Sequence, residues 1–238
     1  MKDTDGTGAK DAEQKKVQME YLYPKKFSCP VCKQSFTNHL IKKSKLKMIK
    51  TDTDTRMQYH DIDPNMYEVI MCNRCGYAAI QTHFDTILDN QVTLLHQKIE
   101  SHFKQREYPV PLSPEHAVER FKLALLCAEI IHDKDSVKAF ICLKIAWIYR
   151  GIEDQTNELS FLNKACDEFI AAYSNEPFPI GSMDEPTIQF MIGELARRAG
   201  RSSEAQRWIG SVLTAPDIPK SLKDRAIEVR SLLREESK

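Results

Sequence analysis

The chain has 238 residues, with 34 basic and 34 acidic side chains, so its formal net charge is zero. No overall field draws it to nucleic acid or to an anionic membrane, and any such binding has to be local. The first twenty residues lack the apolar run of a signal peptide, and no later stretch approaches the roughly 20 apolar residues of a membrane span, which predicts a cytoplasmic protein.

The length suits two domains. Residues 1–24 are polar and charged, and predict a flexible tail with at most a helical turn near Val17–Tyr23. Residues 25–84 read as a small antiparallel sheet. In KSKLKMIK, Leu46 and Met48 alternate with Lys45 and Lys47; in YEVIM, Tyr67, Val69 and Met71 alternate with Glu68 and Ile70; Asp63-Pro64-Asn65 suits a turn between strands.

From residue 85 to 238 the period is helical. Ile87, Val92, Leu95 and Ile99 share a stripe, Ser113-Pro114-Glu115 starts a helix, and breaks fall at Asn175–Pro186 and Ala215–Pro219. A spacing of Ala-x3-bulky-x2-small occurs at Ala117/Phe121/Ala124, Ala165/Phe169/Ala172 and Ala205/Ile209/Val212. That is the second-helix pattern of a tetratricopeptide repeat, although the copies stand 48 and 40 residues apart instead of about 34. An ordinary helical bundle is the alternative. The fold class is thus α+β, mostly α: a zinc-ribbon-like domain followed by an all-helical, tetratricopeptide-like one.

The chemistry lies in CPVC and CNRC, that is, Cys29, Cys32, Cys72 and Cys75, two C-x2-C pairs separated by 39 residues. Two such pairs around a small sheet match a tetrahedral zinc site. Four thiolates leave no open coordination position, so the metal is structural. A rubredoxin-like iron site is the rival, since a sulfur tetrahedron suits iron as well. Cys127, Cys142 and Cys166 sit in apolar helical patterns and read as core.

Lys42, Lys43, Lys45, Lys47 and Lys50 form a basic strand, the best argument for nucleic acid, but no aromatic residue interleaves them to stack bases, so a solvated sheet face is preferred. Asp52, Asp54, His60, Asp61 and Asp63 follow. Their spacing fixes no ligand set, so they read as turn residues. No nucleophile motif, phosphate loop or HExxH is present, and the chain is expected not to be an enzyme.

The segments CPVC, KSKLKMIKTDTD, DPNMYEVIMCNRCGYAA, LKIAWIYR and IGELARRAGRSSEAQRW, in this order, resemble the bacterial domain-of-unknown-function family 2225 over Lys25 to Trp208. The resemblance implies a bacterial cytoplasmic protein with a metal-binding amino-terminal part, a helical repeat-like remainder, and Cys29, Cys32, Cys72 and Cys75 as ligands. It implies no activity. Lys33 stands where such knuckles usually have glycine, and Asn73 where they often have proline.

The leading expectation is a zinc-binding protein-interaction scaffold; a nucleic-acid-binding or regulatory ribbon protein comes second and an iron electron carrier third. If first helices of the repeats face a groove, matching Ala146 to Gly193 sets Trp147 level with Glu194 and Arg150 level with Arg197, with Arg198 beside them. Arginine and tryptophan there suit an acidic or carboxylate-ended peptide. The alternative is that Trp147 is core and the arginines form intramolecular ion pairs.

Overall fold

The computed structural model describes residues 5–236, with side chains from residue 12 onward. The fold is α+β and mostly α, with short antiparallel hairpins near the amino terminus and helices after them. Two compact units divide it. One comprises the residues up to Thr51 together with Met57–Ile131, the other Asp52–Arg56 together with the residues from His132 on. Among the described residues no helix is long and apolar enough to cross a membrane.

The first unit contains three antiparallel hairpins: β1 (Leu22–Ser28) with β2 (Ser35–Ile41), β3 (Met48–Thr51) with β4 (Met57–Tyr59), and β5 (Val69–Met71) with β6 (Ala78–Ile80). In β2 the residues Phe36, Asn38 and Leu40 are buried and alternate with more exposed neighbours, as a half-buried strand requires. The alternation expected in YEVIM does not hold. Val69, Ile70 and Met71 are all buried, because α3 (Pro114–Ile130) packs on β5 and β6 and the strand has no solvent face. Tyr67 precedes that strand in a 3-10 turn, Pro64–Tyr67, whose first residues are held by Asp63: its carboxylate accepts from the Asn65 N–H at 3.0 Å.

Three expectations need correction here. Where a flexible tail to residue 24 is expected, α1 (Asp5–Glu20) and the start of β1 stand, while residues 1–4 lie outside the described residues. The segment is anchored by Leu22, buried with Ile62, Tyr67 and Leu112, and by Gln18 and the Tyr21 hydroxyl, which donate to Asp61. The basic strand is not one strand: Lys43–Lys45 form a 3-10 turn and only Lys50 lies in β3, although Lys43, Lys45, Lys47 and Lys50 are exposed as a solvated face would be. The division expected at Phe84 falls after Ile131. Both α2 (Asp89–Leu95), which runs on into a π turn at His96–Glu100, and α3 belong to the first unit; Leu95, Ile99 and Cys127 join Phe36, Leu40, Ile70, Tyr77 and Phe84 in one apolar cluster around the cysteines. The Ala117/Phe121/Ala124 copy of the repeat pattern is therefore in a helix that covers strands.

The second unit is helical apart from Asp52–Arg56. Here α4 (Asp135–Gly151), α5 (Gln155–Asn175), α6 (Glu185–Arg198), α7 (Ser202–Thr214) and α8 (Lys220–Glu236) pack each on the next. The breaks foreseen after Asn175 and at Ala215–Pro219 separate them. The side chains of Asp154 and Asp184 cap α5 and α6 by accepting from Asn157 N–H and Thr187 N–H. Ala165, Phe169, Ala172, Ala205, Ile209 and Val212 are all buried, as are Cys142 and Cys166. Gly193 lets α6 lie against α7: a Cβ there would stand 2.8 Å from Ile209 Cδ1.

Candidate functional site

Each C-x2-C pair is the turn of a hairpin, CPVC between β1 and β2, CNRC between β5 and β6. The two turns are built alike. Lys33 N–H donates to Cys29 O at 2.9 Å and Gly76 N–H to Cys72 O at 3.0 Å; Cys29 N–H donates to Gln34 O and Cys72 N–H to Tyr77 O. The residue after the second cysteine is left-handed in both, with φ 60° at Lys33 and 81° at Gly76. So the departure from glycine at position 33 changes the residue and not the turn. Lys33 accepts the conformation, and its Nζ donates to Pro30 O at 2.7 Å.

The two glycine-type positions should respond differently to substitution. A Cβ on Gly76 would fall 2.4 Å from Phe103 Cδ2, so Gly76→Ala combines backbone strain with overpacking and is expected to cost about 2 kcal/mol or more. Lys33→Gly relieves a left-handed residue but adds unfolded-state entropy, so it is expected to change stability by less than about 1 kcal/mol. Thermal denaturation of the metal-loaded variants checks both.

The four Sγ atoms lie within 4.8 Å of one another, with Cys29 to Cys75 at 3.5 Å and Cys32 to Cys72 at 3.7 Å. These sulfurs are free thiols. A tetrahedral ion with metal–sulfur bonds of about 2.3 Å, as for zinc, sets its sulfurs about 3.8 Å apart, so the cluster fits such an ion. Cys29, Cys72 and Cys75 are buried and Cys32 half-buried. As bare thiols the group favours one thiolate. Hydrogen bonds from Cys29 and Cys75 hold the Cys72 thiol down, while the bond to Cys72 pushes Cys29 up and the bonds with Cys29 and Cys72 push Cys75 up as well. A cation removes that competition by stabilising all four sulfurs in the charged form. His39 and His83 are not part of the cluster.

Residues 22–233 match a family of proteins described as "Uncharacterized protein conserved in bacteria (DUF2225)". The chain belongs to this family. No curated protein and no solved structure matches it. For this DUF2225 member the functional reading therefore rests on its own residues.

The second unit brings together all five residues of the expected groove, around the chain's own acidic segment. Trp147 Nε1 donates to Asp54 Oδ2 at 2.9 Å; Arg150 donates to both oxygens of Asp54 at 3.1 and 2.7 Å, to Asp52 at 3.1 Å and to Glu158 at 2.6 Å. Glu194, fully buried, accepts from Arg197 at 2.8 and 2.9 Å and from Arg198 at 2.6 Å, and also from Thr53; Arg197 reaches Glu236. Arg198 Nη2 donates to Thr53 Oγ1 at 2.8 Å, and Arg225 Nη2 to Thr53 O at 3.0 Å.

The expected open concavity is thus filled. Trp147 is 5% exposed, and the arginines are ion-paired within the chain. Asp52 and Asp54 do stand in a turn, where Thr55 N–H donates to Asp52 O and Arg56 N–H to Asp54 Oδ1, but the reading is incomplete, since Asp54 is also fully buried and bound by three side chains. Burial alone pushes its carboxyl up, but Arg150, then Arg198 and Trp147, outweigh that and hold it below the usual carboxylate range. Asp63 keeps the local turn role expected of it, whereas the carboxylate of Asp61 accepts from Tyr21, 40 residues away. Thr53 and Arg225 carry no motif, and only the acidic spacing D-T-D in a stretch that also holds a turn could have pointed to the loop.

Proposed function

We infer that the chain is a non-enzymatic protein-interaction scaffold of the bacterial cytoplasm: a ribbon unit held by one structural zinc ion at Cys29, Cys32, Cys72 and Cys75, joined to a tetratricopeptide-like helical unit that recognises an acidic peptide. Four sulfur ligands close the coordination sphere, which suits structure better than catalysis. Iron in the manner of rubredoxin is the alternative ion, and its visible absorption would separate the two at once.

The observation that carries the recognition reading is the way Trp147, Arg150 and Arg198 hold Asp54. A planar guanidinium fork and an indole donor read a carboxylate by shape as well as charge. The segment Asp52–Arg56 then stands in for the partner, an Asp-x-Asp peptide that competes with it. A tethered segment acts at an effective concentration in the millimolar range, so a free peptide binds the intact chain weakly. The test uses a peptide with the sequence of residues 50–58 as probe. It should bind Asp52→Asn/Asp54→Asn about tenfold or more tightly than the unsubstituted chain, with affinity falling as salt rises. The same peptide carrying asparagine at both acidic positions should not bind. Equal affinity for both proteins, or for both peptides, defeats the recognition reading.

A further inference from the structure

The first unit contains a cavity of ≈ 450 Å³, lined among others by Asn38, His39, Tyr67, Asn73, Arg74 and Arg120. Arg120, on α3, is only 5% exposed. Its Nη2 makes both of its hydrogen bonds, to Asn38 Oδ1 and to Val69 O at 2.6 Å, and both acceptors are neutral. Its Nε is buried without a partner. No carboxylate among the described residues forms an ion pair with it.

A buried guanidinium without a counter-charge is costly, by several kcal/mol, and buried charges are as a rule paired. Arginine does not escape by losing its proton. Burial pushes this one down to about 10, and the hydroxyls of Tyr108 and Tyr67 oppose that only in part. Ordinary core packing would place a leucine or methionine at such a position at no electrostatic cost.

The surroundings of Arg120 are those of a site that waits for an acceptor. Asn38 is fixed by its own amide, which donates to Met71 O at 3.0 Å, so only its oxygen faces Arg120. The Tyr67 hydroxyl already accepts from Leu112 N–H at 3.0 Å, which leaves its proton to be donated. Burial, then the charge of Arg120, lower the pKa of His39, so the imidazole adds no positive charge near neutral pH. Arg74 at the rim brings a second guanidinium, and Glu107, also lining the cavity, is exposed and makes no pair with Arg120.

We propose that this cavity binds a small molecule through an oxyanion, a carboxylate or a phosphate group, with Arg120 as its principal partner and Arg74 and Tyr67 as further donors. Its volume lies within the range of small-molecule sites, roughly 300–1,000 Å³. The proposal is independent of the peptide-recognition reading, which concerns the other unit.

Calorimetric titration of the full metal-loaded chain with succinate and, separately, with inorganic phosphate tests it and tells the two oxyanions apart. At least one should bind with a stoichiometry of one and raise the melting temperature. In Arg120→Met that binding should weaken about tenfold or more, and the rise in melting temperature that the ligand gives the unsubstituted chain should be lost. In Arg74→Gln, whose exposed side chain is not needed for folding, binding should weaken severalfold. Absence of binding for both anions at millimolar concentration overturns the proposal, and so does unchanged affinity in Arg120→Met. If Arg120→Met fails to fold, an unchanged affinity in Arg74→Gln counts equally against it.

Discussion

Metal analysis of the purified chain is expected to return one zinc per chain, and none for Cys72→Ser/Cys75→Ser. Binding free energy of structural zinc is folding free energy, on the order of 10 kcal/mol or more in small zinc domains, which exceeds what a few short hairpins hold by packing. Here β5 and β6 have three residues each and β4 has three. Removal of the ion by a strong chelator should therefore unfold the first unit. Both tryptophans, Trp147 and Trp208, lie in the second unit, so their emission should persist while the Tyr77 to Phe84 contact in the first unit is lost. Each cysteine must shed its proton to bind, so acid should release the metal and alkali should not. Full metal content in the double serine variant would exclude these four ligands.

The second large effect is expected from Asp54→Ala. Removing one partner from a buried ion pair leaves the other charge uncompensated, at about 3–5 kcal/mol. Arg150 keeps Asp52 and Glu158, which places the cost near the lower end. For a chain of this size that is a fall in melting temperature of about 6–12 °C. Asp52→Ala removes a more exposed carboxylate, which Arg150 meets with one nitrogen at 3.1 Å, and should cost less. Because Asp54 and Arg150 act as a pair, the double variant Asp54→Ala/Arg150→Ala should lose less than the sum of the two single losses. The pH dependence has a definite sign. The carboxyl of Asp54 is depressed in the folded chain, so its contribution is fully present above the unfolded value of about 3.9 and disappears as pH falls through the lower folded value. Between pH 7 and about 3.9 the Asp54→Ala defect should be constant, and it should shrink as the pH falls from there through the folded value. A defect independent of pH down to acid unfolding would mean that Asp54 acts by shape and not by charge.

The cysteine cluster was the most legible part of the chain because C-x2-C turns are local: the knuckle geometry at Cys29–Lys33 and Cys72–Gly76 needs few residues outside it. The helix start at Ser113 was equally local, a side chain accepting from a backbone N–H three residues on; the like caps at Asp154 and Asp184 were there to be read and were passed over. What escaped was set by tertiary partners. Periodicity gives α3 an apolar face but does not say that strands β5 and β6 cover it, and so the unit boundary moved from Phe84 to Ile131. Asp54 is polar and flanked by threonines, so its burial follows only from Arg150 and Trp147, more than ninety residues away. The same holds for Arg120 and Asn38, separated by 82 residues. The register that aligned Trp147 with Glu194 named side chains that lie about the segment Asp52–Arg56, but as an open groove it does not stand. It could not see that the chain itself supplies the acid.

The bond between Thr53 and Arg225 spans 172 residues. Loop closure over such a distance is slow, and native contacts of this separation come late in folding. During synthesis the segment Asp52–Arg56 leaves the ribosome early, while the helices that bind it are finished only when α8 has emerged. At roughly 5–20 residues per second, Arg225, the last of its partners, follows the segment by about ten seconds or more. Asp54, fully buried in the finished chain, thus has its loop closed only at the end, so the order of synthesis, and not only the final fold, sets when its charge leaves water.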